Sequence, residues 1–150
     1  MAFDFKAVAD AIAVRFGPTV ITAPSGESNV AQSTAVLPAA ITDEPTVLVF
    51  PPEIDFSYGP SLRKAYAVFP VRFYIYQVRS DERNATLLLN WMSALYATIG
   101  AASDGAAHLT LSSTVNMATM SNVQPGKLTY AGTEFDGLEW SVRVNLGEGL

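Results

Sequence analysis

Residues 65–78 read AYAVFPVRFYIYQV, and this stretch decides the fold because it has the pattern of a β-strand that is apolar on one face and largely apolar on the other. In an extended chain, successive side chains point to opposite sides. One side is entirely apolar, with Ala67, Phe69, Val71, Phe73 and Ile75. The other side mixes tyrosines and an arginine with apolar residues: Tyr66, Val68, Pro70, Arg72, Tyr74 and Tyr76. A strand in a small monomer needs only one covered face, so the sequence raises the question of what the second face meets.

The segments around this strand predict the rest of a sheet. Residues 46–50 form a short apolar strand, and residues 138–146 alternate apolar and polar side chains around Trp140. Turn signals at Gly132 and at Asp136 with Gly137 predict a hairpin or meander that includes residues 127–131. Pro70 lacks an N–H and is expected at a sheet edge or a bulge.

Two segments have the apolar spacing of helices. The first follows Asp4, its expected N-cap, and ends at Gly17. The second is expected to begin at Ser80 and to end at Gly100. Its residues Leu87, Leu89 and Tyr96 lie off the apolar stripe, which indicates a helix covered on more than one side. Together these segments predict one α+β domain over residues 1–150, with a mainly antiparallel sheet and two helices packed on one side.

Residues 22–45 predict a long loop or arm. They are rich in Ser, Thr, Ala and Pro and show little periodicity. Loops longer than about 12–15 residues are usually functional or disordered. Because Val30, Val36, Leu37 and Ile41 interrupt the polar sequence, we expect this segment to order against something, such as a neighbouring subunit.

Composition narrows the classes of protein. The formal net charge of −5, with no cluster of basic residues, argues against tight binding to a nucleic acid backbone. The absence of cysteine excludes disulfides and thiolate metal sites. No signal peptide is visible, and the apolar stretch at residues 87–102 is shorter than the ~20 residues of a membrane span. The charged share of 15% is below the usual ~25%, which suggests that partners cover part of the surface.

Catalytic patterns are missing, and we expect neither an enzyme nor a metal or other cofactor. His108 is the only histidine, and no phosphate-binding or nucleophile-elbow motif occurs. The acid pairs Glu53 with Asp55 and Glu134 with Asp136 are interpreted as solvated turn residues. The tyrosines around Arg72 leave three possibilities open: stacking of single-stranded bases, packing inside the subunit, or a protein interface.

Three stretches together resemble the tail terminator (tail completion) proteins of long-tailed bacteriophages, the siphoviruses. They are a short strand ending in Pro-Pro (TVLVFPP), a long strand leading into a helix (FPVRFYIYQVRSDERNATLLLNWMSAL) and a closing strand (LTYAGTEFDGLEWSVRVNL). The resemblance implies a structural virion protein that forms a ring, hexameric in this family, and caps the head-proximal end of the tail tube. It implies no catalytic residues, and it implies the tail tube protein and the head-tail connector as partners. DNA would pass through the lumen without specific binding, and the protein would lie in the tail or neck of the virion after assembly in the host cytoplasm.

A ring subunit must bury surface against identical neighbours. We therefore predict that Tyr66, Arg72, Tyr74 and Tyr76 lie at the interface, and that Val30, Val36 and Leu37 belong to an arm that reaches a neighbour or the tube. Two alternatives stay open at this point. One is a head-tail stopper or adaptor ring protein of the phage neck, and the other is a small-ligand-binding α+β domain with an apolar pocket.

Overall fold

The computed structural model of the chain describes residues 4–18, 20–56, 65–78, 84–102, 108–109 and 118–145. These ranges contain two helices and eight strands. In chain order they are α1 (Phe5–Arg15), β1 (Gln32–Thr34), β2 (Thr46–Val49), β3 (Glu53–Asp55), β4 (Tyr66–Gln77), α2 (Asn84–Ala102), β5 (His108–Leu109), β6 (Ala118–Met120), β7 (Gln124–Tyr130) and β8 (Thr133–Asn145).

The strands form one sheet centred on β4 and β8. The order across the sheet is β1-β2-β4-β8-β6-β5, with β3 beside β4 and β7 beside β8. The pair β1 and β2 is parallel, and the other described pairs are antiparallel. The prediction of an α+β fold with a mainly antiparallel sheet is confirmed.

Both helices pack on the same face of the sheet. Val71 of β4 pairs with Trp140 of β8, so these two side chains share the face on which Phe73 also lies. Phe16, which caps α1, meets Trp140 edge-on with 5.0 Å between ring centroids. Trp91 of α2 meets Phe73 in the same way at 5.1 Å. This face therefore carries the main core, and the predicted position of the helices is confirmed.

The helix boundaries differ from the prediction at one end. Asp4 is the N-cap of α1, and its Oδ1 accepts a hydrogen bond from the backbone N–H of Ala7 at 3.1 Å, as expected. The predicted start of α2 at Ser80 lies outside the described residues. Gly100 does not end α2, which continues to Ala102. A helix interior tolerates one glycine at a cost of about 1 kcal/mol, so the glycine alone was a weak stop signal.

A β-bulge interrupts the alternation of β4. The pairing with β8 shifts register between Tyr74 and Tyr76, so that Ile75 is the additional residue. Tyr74 and Tyr76 consequently point to opposite faces of the sheet. The prediction that both tyrosines share the second face is wrong, because strict alternation cannot represent an inserted residue.

The closing hairpin has one turn where the sequence suggested two. Ala131 (φ 50°) and Gly132 (φ 82°) form the two-residue connection of β7 and β8, as predicted for Gly132. The second expected turn, at Asp136 and Gly137, lies inside β8 instead. A Cβ at Gly137 would collide with the backbone carbonyl oxygen of Phe73. The glycine therefore serves a close approach of β4 and β8 and makes no turn.

Pro70 lies in the central strand β4 and not at an edge or a bulge, so this expectation is wrong as well. Its carbonyl oxygen accepts from the N–H of Phe50 at 2.8 Å, on the side of β4 where β2 has ended and β3 has not begun. Because the N–H and C=O of a residue in an antiparallel pair point to the same neighbour, Pro70 cannot return a hydrogen bond to Phe50, and the pairing of β2 with β4 ends at Val49 and Val71.

Candidate interaction surface

The second face of β4 is partly covered by the subunit itself. Tyr74 has no exposed surface and forms a small cluster with Leu48, Leu128 and Phe135. Its ring meets that of Phe135 edge-on at 5.4 Å, and burial raises the pKa of its phenol. The side chain of Tyr74 is thus an interior group. The expectation that it lies at an interface is corrected to packing inside the subunit.

Residues 35–44, named the strap here, cover this cluster. The Tyr130 hydroxyl donates a hydrogen bond to the carbonyl oxygen of Pro38 in the strap, and Ile41 packs against the cluster. At the end of the strap, Oε1 of Glu44 accepts from the backbone N–H of Gln77 at 3.2 Å. The strap therefore covers the second face of β4 at its Tyr74 end. Because these contacts hold the strap against its own subunit, they do not fit an arm that extends toward a neighbour.

The first part of the predicted loop also packs on its own subunit. It contributes strand β1, and Val30 is 2% exposed within the main core. Ser33 of β1 donates its hydroxyl to the Ala13 carbonyl oxygen near the end of α1. Val30 is therefore corrected from an interface residue to a core residue.

Tyr76 belongs to a hydrogen-bonded group on the helix side of the sheet. Its hydroxyl donates to Oε2 of Glu27 and accepts from Nε1 of Trp91 at 3.3 Å. Burial, with the hydrogen bond to Glu27 as the second cause, raises the pKa of Tyr76 to about 12. The tyrosine links the segment before β1 to helix α2, which is an internal role and corrects the interface prediction for this residue.

Tyr66 and Arg72 lie half-buried on the same face of β4 as Tyr74. The guanidinium of Arg143 stacks 3.7 Å from the centre of the Tyr66 ring, and Nε of Arg72 lies 3.6 Å from Oε2 of Glu139. These cross-strand contacts satisfy the charges at the surface but leave both side chains accessible. Their place at a subunit interface stays a prediction.

The tip of the strap is open to solvent. Val36 is 71% exposed and Leu37 is 40% exposed, and the interface role of these two residues stays a prediction. Val36 stands at the rim of a groove of about 200 Å³ between α1 and the end of β2. Most of the groove wall is apolar, with Phe5, Ala9, Val49, Phe50, Pro51, Pro52 and Phe69. Its charged rim residues Lys6 and Asp10 are paired with each other at 3.0 Å.

The outward face of α2 is a second open apolar surface. Trp91 and Leu95 are 0% and 2% exposed and face the core, whereas Leu89 and Tyr96 are 63% and 77% exposed. Leu89 and Tyr96 are seven residues apart, two turns of helix, and so lie on one face. Sequence reasoning marked both residues as off the core stripe but did not identify them as an exposed pair. The spacing of seven residues between Leu89 and Tyr96 was the signal that could have identified them as a pair.

The acids singled out in the sequence lie in strands of the described structure. No group of three His, Asp or Glu among the described residues could hold a metal ion. Glu53 and Asp55 are exposed on β3, whereas Glu134 and Asp136 belong to β8, where Glu134 lies 3.7 Å from Nζ of Lys127 and Asp136 is buried. The prediction that these four acids lie in turns is therefore wrong, because all four lie in strands.

Arg15 is a charged side chain in the interior of the subunit. It is 8% exposed, and among the described residues neither of its terminal guanidinium nitrogens has a hydrogen-bond partner. Burial lowers the pKa of this guanidinium. A buried guanidinium without hydrogen-bond partners reduces the stability of the subunit, so replacing Arg15 tests whether this side chain is packed inside.

Neither α1 nor the described part of α2 is long and apolar enough to cross a membrane. A scan against protein-family models gives no match, and a search of curated proteins gives none either.

Proposed function

We propose that the protein is a structural subunit of a bacteriophage tail, a tail terminator that assembles into a ring at the head-proximal end of the tail tube. The ring would end tube polymerisation and offer a surface to the head connector. Its partners would be further copies of this chain, the tube protein and the connector, and its location would be the neck of the virion. The resemblance of the sequence to the tail terminator family supports the choice of family, and the open apolar surface of the subunit supports assembly.

The observation that carries the proposal is apolar surface that the subunit does not cover. The large apolar side chains exposed on the described surface are Val14, Val36, Leu37, Ile54, Phe56, Leu89 and Tyr96. Single exposed apolar residues are ordinary on a monomer, but a contiguous patch points to a binding partner. The pair Leu89 and Tyr96 lies on an uncharged helix, and Val36 lies beside an apolar groove. Both features suit contacts with other protein subunits.

The direct test is a tube-capping experiment. Purified tail tube protein is polymerised alone and with increasing amounts of this protein, and the lengths of the tubes are measured in negatively stained electron micrographs. We expect shorter tubes as the amount of added protein rises, with a ring of extra density at one end only. Heat-unfolded protein at the same concentrations serves as the control.

Unchanged tube lengths together with absence of end density would contradict the proposal. A ring that binds the portal-side connector and ignores the tube would assign the protein to the head-tail stopper or adaptor class instead. A compact monomer that binds a small molecule and neither partner would favour the ligand-binding reading.

A further inference from the structure

Contacts between copies of this chain must overcome repulsion, because each copy carries a formal net charge of −5. Surfaces with no unpaired acid are therefore the favoured places for a contact. Two open surfaces of the described subunit meet this condition and are also largely apolar. They are the outward face of α2 and the groove beside α1.

The α2 surface is neutral along its length. Helix α2 (Asn84–Ala102) contains no charged residue. Between Leu89 and Tyr96, Ser93 is exposed, and its hydroxyl donates a hydrogen bond to the Leu89 carbonyl oxygen at 3.1 Å. This face therefore presents two large apolar side chains with a small residue between them.

The groove beside α1 is concave where the α2 face projects, and it is apolar like that face. Its volume of about 200 Å³ is formed by apolar walls, and the single acid at its rim, Asp10, is neutralised by Lys6 at 3.0 Å. Val36 stands at the rim with 71% of its surface exposed. An apolar projection that entered the groove would cover both the groove and Val36.

We infer that the outward face of α2 in one copy docks in the α1 groove of the next copy, with Tyr96 entering the groove beside Val36. This inference rests on the proposed function and names its subunit contact. The two surfaces belong to different elements of one subunit, so a copy can offer its α2 face to one neighbour and its groove to another. That arrangement is head-to-tail, the type that closes into a ring when the rotation permits. A symmetric pairing of two α2 helices would leave the groove and Val36 uncovered.

The absence of native cysteine makes a cross-linking test clean. The variants Ser93→Cys and Val36→Cys are purified separately, mixed, and treated with a short bismaleimide, and the products are separated on a denaturing gel. We expect a covalent dimer in the mixture and none in either variant alone. The control mixture replaces Val36→Cys by Thr129→Cys, an exposed position on β7, and should give no dimer.

A dimer in Ser93→Cys alone would show symmetric pairing of α2 and overturn the inference. Failure of the mixture to cross-link would also overturn it. Electron microscopy of the unmodified protein separates the two proposals: rings without the expected cross-link leave the proposed function standing, whereas a protein that never assembles removes both.

A second measurement uses the assembly equilibrium. Tyr96→Asp should raise the protein concentration at half assembly by about tenfold or more, the scale of a central aromatic contact. Thr129→Asp adds the same charge away from the proposed contact and should change this concentration by less than about threefold. Equal effects of the two variants would contradict docking through Tyr96.

Discussion

Gly137 is the residue on which the close approach of β4 and β8 depends. A Cβ at this position would meet the Phe73 carbonyl oxygen and would also lie 3.0 Å from Cδ1 of Leu128. The first neighbour is backbone and cannot rotate away. The glycine therefore lies next to the bulge in β4, at a point where the backbones of the two strands approach closely.

Gly137→Ala should lower the free energy of unfolding by about 3 kcal/mol, because the inserted methyl group forces the paired strands apart. Gly126→Ala is the matched control, since it lies in the neighbouring strand β7 and its Cβ would have nothing within 4 Å. It should change stability by less than about 0.5 kcal/mol. Urea denaturation followed by tryptophan fluorescence measures both values, and equal losses would contradict the close approach.

Arg15 should limit the stability of the subunit, because no described residue is a hydrogen-bond partner for either terminal nitrogen of its buried guanidinium. The favourable position near the C-terminus of α1 offsets only about 0.3–1 kcal/mol of the penalty. Arg15→Met should therefore raise the free energy of unfolding by about 1–3 kcal/mol. Lys6→Met, on the same helix but with a side chain that is 82% exposed, should have little effect. A destabilised Arg15→Met protein would mean that the guanidinium is paired.

Tyr76 predicts a loss of stability in alkaline solution. Its pKa in the folded protein is about 12, above the ordinary value of 10.0, so folding favours the protonated phenol. The resulting stabilisation is complete below pH 10 and is lost as pH rises from about 10 to about 12. The free energy of unfolding of Tyr76→Phe should accordingly fall less steeply over this interval than that of the wild type. Identical slopes for Tyr76→Phe and the wild type would contradict the internal role of Tyr76.

At the level of elements, the sheet is covered on both faces at the Tyr74 end. The helices cover the face of Phe73 and Trp140, and the strap covers the cluster around Tyr74. The strap is held by groups far apart in sequence, since Tyr130 lies 92 residues beyond Pro38. Residues on both faces should therefore contribute to the stability of the isolated subunit.

Tyr74→Ala and Trp140→Ala should each lower the free energy of unfolding by about 3–5 kcal/mol, because each truncates an aromatic side chain that is at most 4% exposed. Tyr96→Ala removes an aromatic side chain that is 77% exposed and should change subunit stability by less than about 0.5 kcal/mol. Chemical denaturation under conditions where the protein is monomeric measures all three. A stable Tyr74→Ala subunit would show that the strap does not close over the second face.

The elements with strong periodicity could be predicted from the sequence. The alternation around Trp140 predicted β8, and the Asp4 cap and apolar spacing predicted α1. Asp136 with Gly137 led to a wrong prediction of a turn, because this dipeptide is a strong turn signal. Gly137 is instead required by the close approach of β4. The strap could not be predicted, because it is held by a hydrogen bond between Pro38 and Tyr130, 92 positions away, and no local pattern carries that information.

At the level of the whole molecule, the subunit covers more of its apolar surface than the sequence suggested. Tyr74, Tyr76 and Val30 are packed internally, so the surface left for partners moves to the strap tip and to the outward face of α2. An acidic chain with neutral apolar patches is suited to assembly that is limited to those patches. The proposed ring therefore depends on a few exposed residues and not on the tyrosine-bearing strand.

A reconstruction of the assembled particle at side-chain resolution tests this account most directly, through the solvent exposure of Leu89, Tyr96 and Val36. We predict that all three side chains are covered by a neighbouring copy. Particles in which these side chains face open solvent, as they do in the single subunit at 63%, 77% and 71% exposure, would contradict it.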